Sequence, residues 1–421
     1  MTIPVVRHLA NSIKQSWKKW RGIFQRKSQG RSSNFCEEME TDNEDDMPHN
    51  RRGRSLLHRI WRAIVSILQR LQIFDFWRNR EDFYQRTFTK PAVPEARLLV
   101  LGASDTGKST FMKQMRLVFG DEYPVPDRRR HQPHIRRNLL ESVHRIIQAM
   151  DTFGITQATQ EAQDAARRFT DLEPLEQFLE DDAIIDHQLV EQTQLLWADP
   201  MVQEVYIRGN EYHLMTNADY FITNAERILD DNYIPNVDDI LRMRYPTRTS
   251  VTSTYDLGEM RMTMHDMGGQ RSEREQWIKH DNNPTAILFL ASLSEYDQNV
   301  EEIPEQKNRV QESLDIFEDL LGYPPFETTP VILLLNKSDI FRSKIQYHAL
   351  RDYFPEYDGP DGDEIEGRDF ISRLYEKLAV RHRRHFVARF TEATNTENFR
   401  AIFTFIRSTV SRNMMGRGGL C

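Results

Sequence analysis

Residues Arg97-Leu98-Leu99-Val100-Leu101 form a short apolar run that stops at a glycine. Gly102-Ala103-Ser104-Asp105-Thr106-Gly107-Lys108-Ser109 follows, and residues 109–118 then take on helical character. A continuous apolar run of this length reads as a parallel strand buried on both faces. The octapeptide fits G-x-x-x-x-G-K-[ST], and a strand before it with a helix after it is the context that motif requires. Its glycines let successive backbone N–H groups, including those around Thr106 and Gly107, turn inward and cradle phosphate oxygens. The helix that follows adds its positive end. Lys108 has the reach for β and γ phosphates, and the Ser109 hydroxyl suits Mg2+.

The rest of the chain is organised around that unit. Strand patterns return at 249–256 and, across a turn at Gly258, at 260–265; further apolar runs lie at 286–291, 331–335 and 385–390. Helical patterns fill the gaps at 306–321, 368–380 and 397–410. Strands alternating with helices predict an α/β sheet covered on both faces. From about 120 to 240 the alternation stops, and helical patterns such as 139–147 and 189–206 dominate. The expected organisation is an extension over 1–95, an α/β domain over 96–118 and 244–421, and an inserted all-α domain over 119–243.

Charge separates the extension from the body. Residues 1–90 carry 18 Lys and Arg against 10 Asp and Glu, whereas the remainder carries 38 against 54. A basic head on an acidic body suggests an anionic surface as its contact, either a membrane leaflet or an acidic protein, or else a solvated tail. Residues 1–50 pair a basic run containing Trp17 and Trp20 with the acidic cluster 37–46, and have no periodic apolar face. Over 53–74, by contrast, Leu57, Ile60, Trp61, Ile64, Leu68 and Leu71 recur at helical spacing opposite Arg59, Arg62 and Arg70. This predicts a basic amphipathic helix for a membrane surface, a partner, or its own domain. The two cysteines, Cys36 and Cys421, support neither a disulfide framework nor a Cys-based zinc site. No apolar stretch approaches the ~20 residues of a bilayer span. The chain therefore reads as soluble and intracellular, with no nucleic-acid partner.

Two further motifs supply a base reader and a metal site. Leu333-Leu334-Leu335-Asn336-Lys337-Ser338-Asp339 puts N-K-x-D at the end of a buried strand. The Asp339 carboxylate can accept from the N1–H and the 2-amino group of guanine, a donor pair that adenine lacks. That weighs against an ATPase or kinase. After another strand comes His265-Asp266-Met267-Gly268-Gly269-Gln270. Asp266 can hold Mg2+ through water, the Gly269 N–H can meet a γ-phosphate, and Gln270 can orient the attacking water.

The sequence Asp266-Met267-Gly268-Gly269-Gln270-Arg271-Ser272-Glu273-Arg274, with Trp277-Ile278 after it, resembles the second switch of heterotrimeric G-protein α subunits. Asp239-Ile240-Leu241-Arg242-Met243-Arg244 with Thr247 resembles the linker and first switch of that family, and Thr391-Glu392-Ala393-Thr394 its last guanine-contacting loop. The resemblance runs from about residue 96 to the C-terminus. It implies a P-loop GTPase (Ras-like) doubly wound fold with an inserted helical domain, a GTPase that turns GTP into GDP and phosphate. Arg244 would be a built-in arginine finger and Thr247 a second hydroxyl ligand of Mg2+ beside Ser109. Asp105, Thr110, Asn217, Leu241, Arg242, Met243 and Ala393 would line the nucleotide. The implied partners are a βγ dimer and a seven-helix receptor met by the C-terminal helix, with an unidentified effector. The implied location is the cytoplasm or the cytoplasmic face of the plasma membrane.

The chain departs from the family pattern in two places. Ser104 stands where the family usually has glycine, and its side chain is expected to crowd the γ-phosphate and slow hydrolysis, at the extreme giving a nucleotide-locked scaffold. Residue 2 is Thr, so N-myristoylation is not expected, and the terminal position of Cys421 does not make a C-a-a-X box. The helix over 53–74 is then the candidate membrane anchor, and action without a βγ dimer is the competing expectation.

Overall fold

The computed structural model describes residues 93–120, 122–171, 188–245, 250–269, 283–300 and 307–417. The helix expected over 53–74, both cysteines, Thr247, Gln270 and the 271–278 segment lie outside those residues. Among the described residues, one sheet contains β1 (Glu95–Leu101), β2 (Val251–Asp256), β3 (Arg261–Asp266), β4 (Ala286–Ser292), β5 (Val331–Asn336) and β6 (Phe386–Phe390). Their order is β2-β3-β1-β4-β5-β6, with only β2 antiparallel to its neighbour.

Why these segments are strands follows from their burial. Every residue of β4 and β5 is buried, as unbroken apolar runs demand of central parallel strands, while the edge strand β2 is largely exposed. Successive side chains point to opposite faces. Leu99, Leu101, Phe289, Leu333 and Leu335 therefore share one core with Phe317 of the helix Arg309–Gly322 and Tyr375 of the helix Glu364–Arg381. Leu98, Val100, Leu288, Leu290 and Leu334 share the other with Phe111 and Met115 of the helix Lys108–Phe119 and Phe403 and Val410 of the helix Thr396–Arg417. Each fully buried side chain of this size contributes about 1.5–3 kcal/mol. Together they fix the height of the strand ends.

A third core belongs to helices alone. In Gln132–Phe153, the residues Ile135, Leu139, Val143, Ile146 and Met150 follow the helical period and face Phe169, Leu196, Val205 and Phe221. That helix stops at Gly154, whose left-handed φ of 67° lets Ile155 N–H close on Met150 O at 2.9 Å. The pattern over 189–206 is not one helix but two, Gln188–Ala198 and Pro200–Ile207. Pro200 has no N–H to continue the first, and the Asp199 side chain accepts from the N–H groups of Met201 and Val202 to start the second.

Candidate functional site

The strand order determines what meets at the carboxyl edge of the sheet. β1 is central, with parallel β3 on one side and parallel β4 and β5 on the other. The register sets Val100 beside Asp266 and Ser292 beside Asn336, so the segments after β1, β3 and β5 leave by the same edge. Ligands of open α/β sheets gather outside that edge.

The loop from Gly102 to Lys108 turns sharply there. Asp105 and Gly107 have positive φ of 60° and 99°. At Gly107 glycine is also required by space, because a Cβ would lie 2.1 Å from Asn336 Nδ2. The Asn336 amide comes so close because it donates to Thr106 O at 2.9 Å. Its Oδ1 accepts from Thr391 Oγ1 at 2.9 Å and from Ala393 N–H at 3.0 Å. Gln114 Nε2 donates to Ala393 O at 3.0 Å from the helix behind the loop. One buried amide thus ties together the loops after β1, β5 and β6. The side chain of Asn336, the first residue of the N-K-x-D motif, makes these bonds to protein groups.

Lys108 is buried and donates to Gly102 O at 3.0 Å and Ala103 O at 2.6 Å, spanning the loop from within. Gly269 lies directly against it, since a Cβ there would be 2.4 Å from Lys108 Nζ and 2.7 Å from Ala103 O. Asp266, at the end of β3, is buried, and its Oδ1 has no hydrogen-bond partner among the described residues. Burial pushes its carboxyl up to about 6, against the pull of the Lys108 cation. A buried carboxylate oxygen without a donor is a costly arrangement that a bound cation would relieve. Carboxylate, hydroxyl and phosphate oxygens are also the donors Mg2+ prefers. Asp266 and Ser109 therefore fit such an ion.

Asp339 sits in the first turn of the helix Ser338–Lys344, entered through Lys337 at φ 61°. Its carboxylate makes no hydrogen bond to a described residue, whereas Lys337 Nζ lies 3.0 Å from Glu295 Oε1 and 3.5 Å from Thr216 Oγ1. The segment 240–244 comes to the same edge from the other direction. Thr110 Oγ1 donates to Leu241 O and Asn217 Nδ2 to Arg242 O, each at 3.1 Å. Both side chains thus bind backbone of the 240–244 segment.

Arg244 forms a two-pronged pair with Asp105, Nε to Oδ1 at 3.1 Å and Nη2 to Oδ2 at 2.8 Å. Burial by itself would raise the Asp105 carboxyl, but Arg244, Arg309 and Lys337 together hold it below its usual value. Ser104 does not take a left-handed backbone, so no conformational need for glycine is violated there. Its hydroxyl makes no hydrogen bond to a described residue.

Sequence reasoning missed several residues that build this site. Asn138 brackets the backbone of Arg244, accepting from its N–H at 2.8 Å and donating to its carbonyl at 3.1 Å. A buried polar residue on the apolar stripe of a helix was the signal that could have found it. Arg309 lies 3.3 Å from Glu295 Oε2 and 3.6 Å from Asp105 Oδ2, and no local pattern marks it.

A phosphate loop opening a mixed sheet, with an N-K-x-D segment bound to it by a buried amide, defines the class as a P-loop GTPase of α/β fold. The family model for the G-protein alpha subunit matches residues 78–410, and the chain belongs to that family. It is a GTP-binding, signal-transducing α subunit, from a family whose members are generally GTPases. No helix among the described residues is long and apolar enough to cross a membrane.

Proposed function

We propose that this α subunit hydrolyses GTP slowly at the carboxyl edge of its sheet, with Asp339 reading guanine and the Gly102–Ser109 loop holding the phosphates. The observation that carries this reading is the Asn336 amide. It fixes the base-side loops to the phosphate loop at hydrogen-bond distance, while the neighbouring Asp339 carboxylate makes no hydrogen bond to a described residue.

Lys108 would neutralise β and γ phosphates, and the Gly269 N–H would meet the γ-phosphate. Ser109, Thr247 and, through water, Asp266 would hold Mg2+, which supplies positive charge against the phosphate oxygens. Gln270 would orient the attacking water. Arg244 would stabilise negative charge developing on the transferred phosphoryl group, after leaving Asp105. Two features support slow turnover: that bidentate pair competes for the guanidinium, and the Ser104 side chain occupies the third loop position. Asp105, Thr106, Thr110, Asn217, Leu241–Arg244, Lys337 and Ala393 would frame the nucleotide. Helices of 119–243 would form an inserted domain closing over it, on an α/β domain of 96–118 and 244–421. The GDP form would bind a βγ dimer. The C-terminal helix would meet a seven-helix receptor, and the 53–74 segment a cytoplasmic membrane surface. Release of the βγ dimer on GTP binding would transmit the signal.

Nucleotide competition tests the reading. GTP and GDP, but not ATP, should displace a fluorescent guanine nucleotide, and Asp339→Ala should erase most of that preference. Equal competition by ATP would sink the proposal, as would binding that survives Lys108→Ala and Asp339→Ala together.

A further inference from the structure

The carbonyls of residues 240 to 244 end the helix Val237–Arg242 and continue past it, so the helix cannot satisfy most of them itself. A side chain from elsewhere meets each one. Lys113 Nζ donates to Ile240 O at 2.9 Å and to Met243 O at 2.8 Å. Thr110 Oγ1 serves Leu241 O, Asn217 Nδ2 serves Arg242 O, and Asn138 Nδ2 serves Arg244 O, all at 3.1 Å. Thr110 and Lys113 project from the helix whose first turn carries Lys108 and Ser109. Asn138 and Asn217 come from the helical region with its own core. The stretch bearing Arg244 is thus held from both sides.

We propose that Lys113 is a positioning residue that locks the Arg244-bearing segment to the helix of the phosphate loop, and so slows nucleotide release. The inference rests on the guanine-nucleotide reading above. Lys113 supplies two of the five bonds, and it places a cation at a helix C-terminus, where the helix dipole favours it. Burial pushes its ammonium down to about 8, and the one Nζ serves both carbonyls. Rigid coupling follows from the geometry. Movement of the 240–244 segment away from the nucleotide must pull on Lys113, and through five residues of helix on Lys108. An apolar side chain of equal length would leave Ile240 O and Met243 O without donors and release that coupling.

The test uses the full chain loaded with fluorescent GDP, and single-turnover phosphate release from GTP. Lys113→Met should speed GDP release about tenfold or more, equivalent to about 1.4 kcal/mol, and lower the single-turnover rate because the Arg244-bearing segment loses two of the five side-chain bonds to its carbonyls. Lys113→Arg, which keeps cation and donors, should restore release to within about threefold of native. A folded Lys113→Met protein that releases GDP at the native rate overturns the inference. So does a Lys113→Arg protein as fast as Lys113→Met. Should Lys113→Met not fold, Asn138→Ser, which loosens the Arg244 backbone from the other side, is measured in its place. Native release by it is then the overturning result. A native chain that binds no guanine nucleotide would refute the function reading itself, which is a different outcome from native binding with unaltered release.

Discussion

Asn336 shows how much one side chain can hold. Its amide answers Thr106 O, Thr391 Oγ1 and Ala393 N–H, three groups from the two loops after β1 and β6, in a buried setting. Removing it leaves those groups without partners, at about 1–3 kcal/mol for each buried group. Asn336→Ala is therefore expected to lower the melting temperature by several degrees and to weaken GDP binding, by thermal unfolding with and without nucleotide. A melting curve that overlays the native one would show that water replaces the amide at no cost. Ser104 belongs to this scale too. With its hydroxyl bonded to no described residue and its backbone unstrained, Ser104→Gly should leave stability within about 0.5 kcal/mol of native apart from a glycine entropy cost. It should raise the single-turnover rate of phosphate release. An unchanged rate would remove Ser104 as the brake and leave the Asp105–Arg244 pair as the remaining candidate.

At the scale of elements, the short helix Val237–Arg242 is anchored by more than its length allows by itself. Asp239 is fully buried and accepts from Arg227 at 2.7 and 2.8 Å, from Tyr220 at 2.8 Å and from Tyr233 at 2.9 Å, and it closes a capping box with Asn236. Breaking such a pair costs about 3–5 kcal/mol. Arg227, 39% exposed, can recover some hydration, which points to the lower end. Asp239→Ala is predicted to lower unfolding free energy by about 3 kcal/mol in urea titrations. Burial raises the Asp239 carboxyl, but its hydrogen bonds to Arg227, Asn236 and the two tyrosines outweigh that and hold it below 3.8. Its stabilisation is present above the unfolded value and is lost as pH falls through the folded one. The gap between native and variant should narrow at pH 3 relative to pH 6; a gap that widened there would contradict the assignment.

For the whole molecule, the division of charge is the feature with a consequence. Residues 92–421 form a compact unit of their own, and the basic excess lies before them. A chain beginning at residue 91 should therefore fold and bind guanine nucleotide, yet lose flotation with vesicles of phosphatidylserine and phosphatidylcholine. Undiminished flotation would rule out the 53–74 segment as the anchor. The sheet was legible at this scale because an unbroken apolar run such as 331–335 has few alternatives to a central strand. The split at Pro200 was missed when 189–206 was read as one helical pattern, although its cue, the missing N–H of proline, is as local. Asn138 was legible only as a polar residue on an apolar stripe, and Lys113 and Arg309 were not legible. Asn138 and Lys113 serve carbonyls 106 and 127 residues away, Arg309 reaches Ser104 O at 3.5 Å across 205 residues, and no periodicity announces a side chain with so distant a partner.

The order of residues by itself determined the phosphate-loop motif, the N-K-x-D segment at a strand end and the alternation that makes an α/β sheet, because sterics and periodic burial act over a few residues at a time. The arginine-finger role proposed for Arg244 came from the family resemblance and not from the residues alone. Only the tertiary structure decided that Arg244 rests on Asp105, that Asn336 is spent on joining loops, and that Lys113 bonds the carbonyls of Ile240 and Met243. Those outcomes depend on which strand ends share an edge and which helices lie beside them. A hydrogen bond is chosen by distance in space, and distance in space is fixed only once the cores have packed.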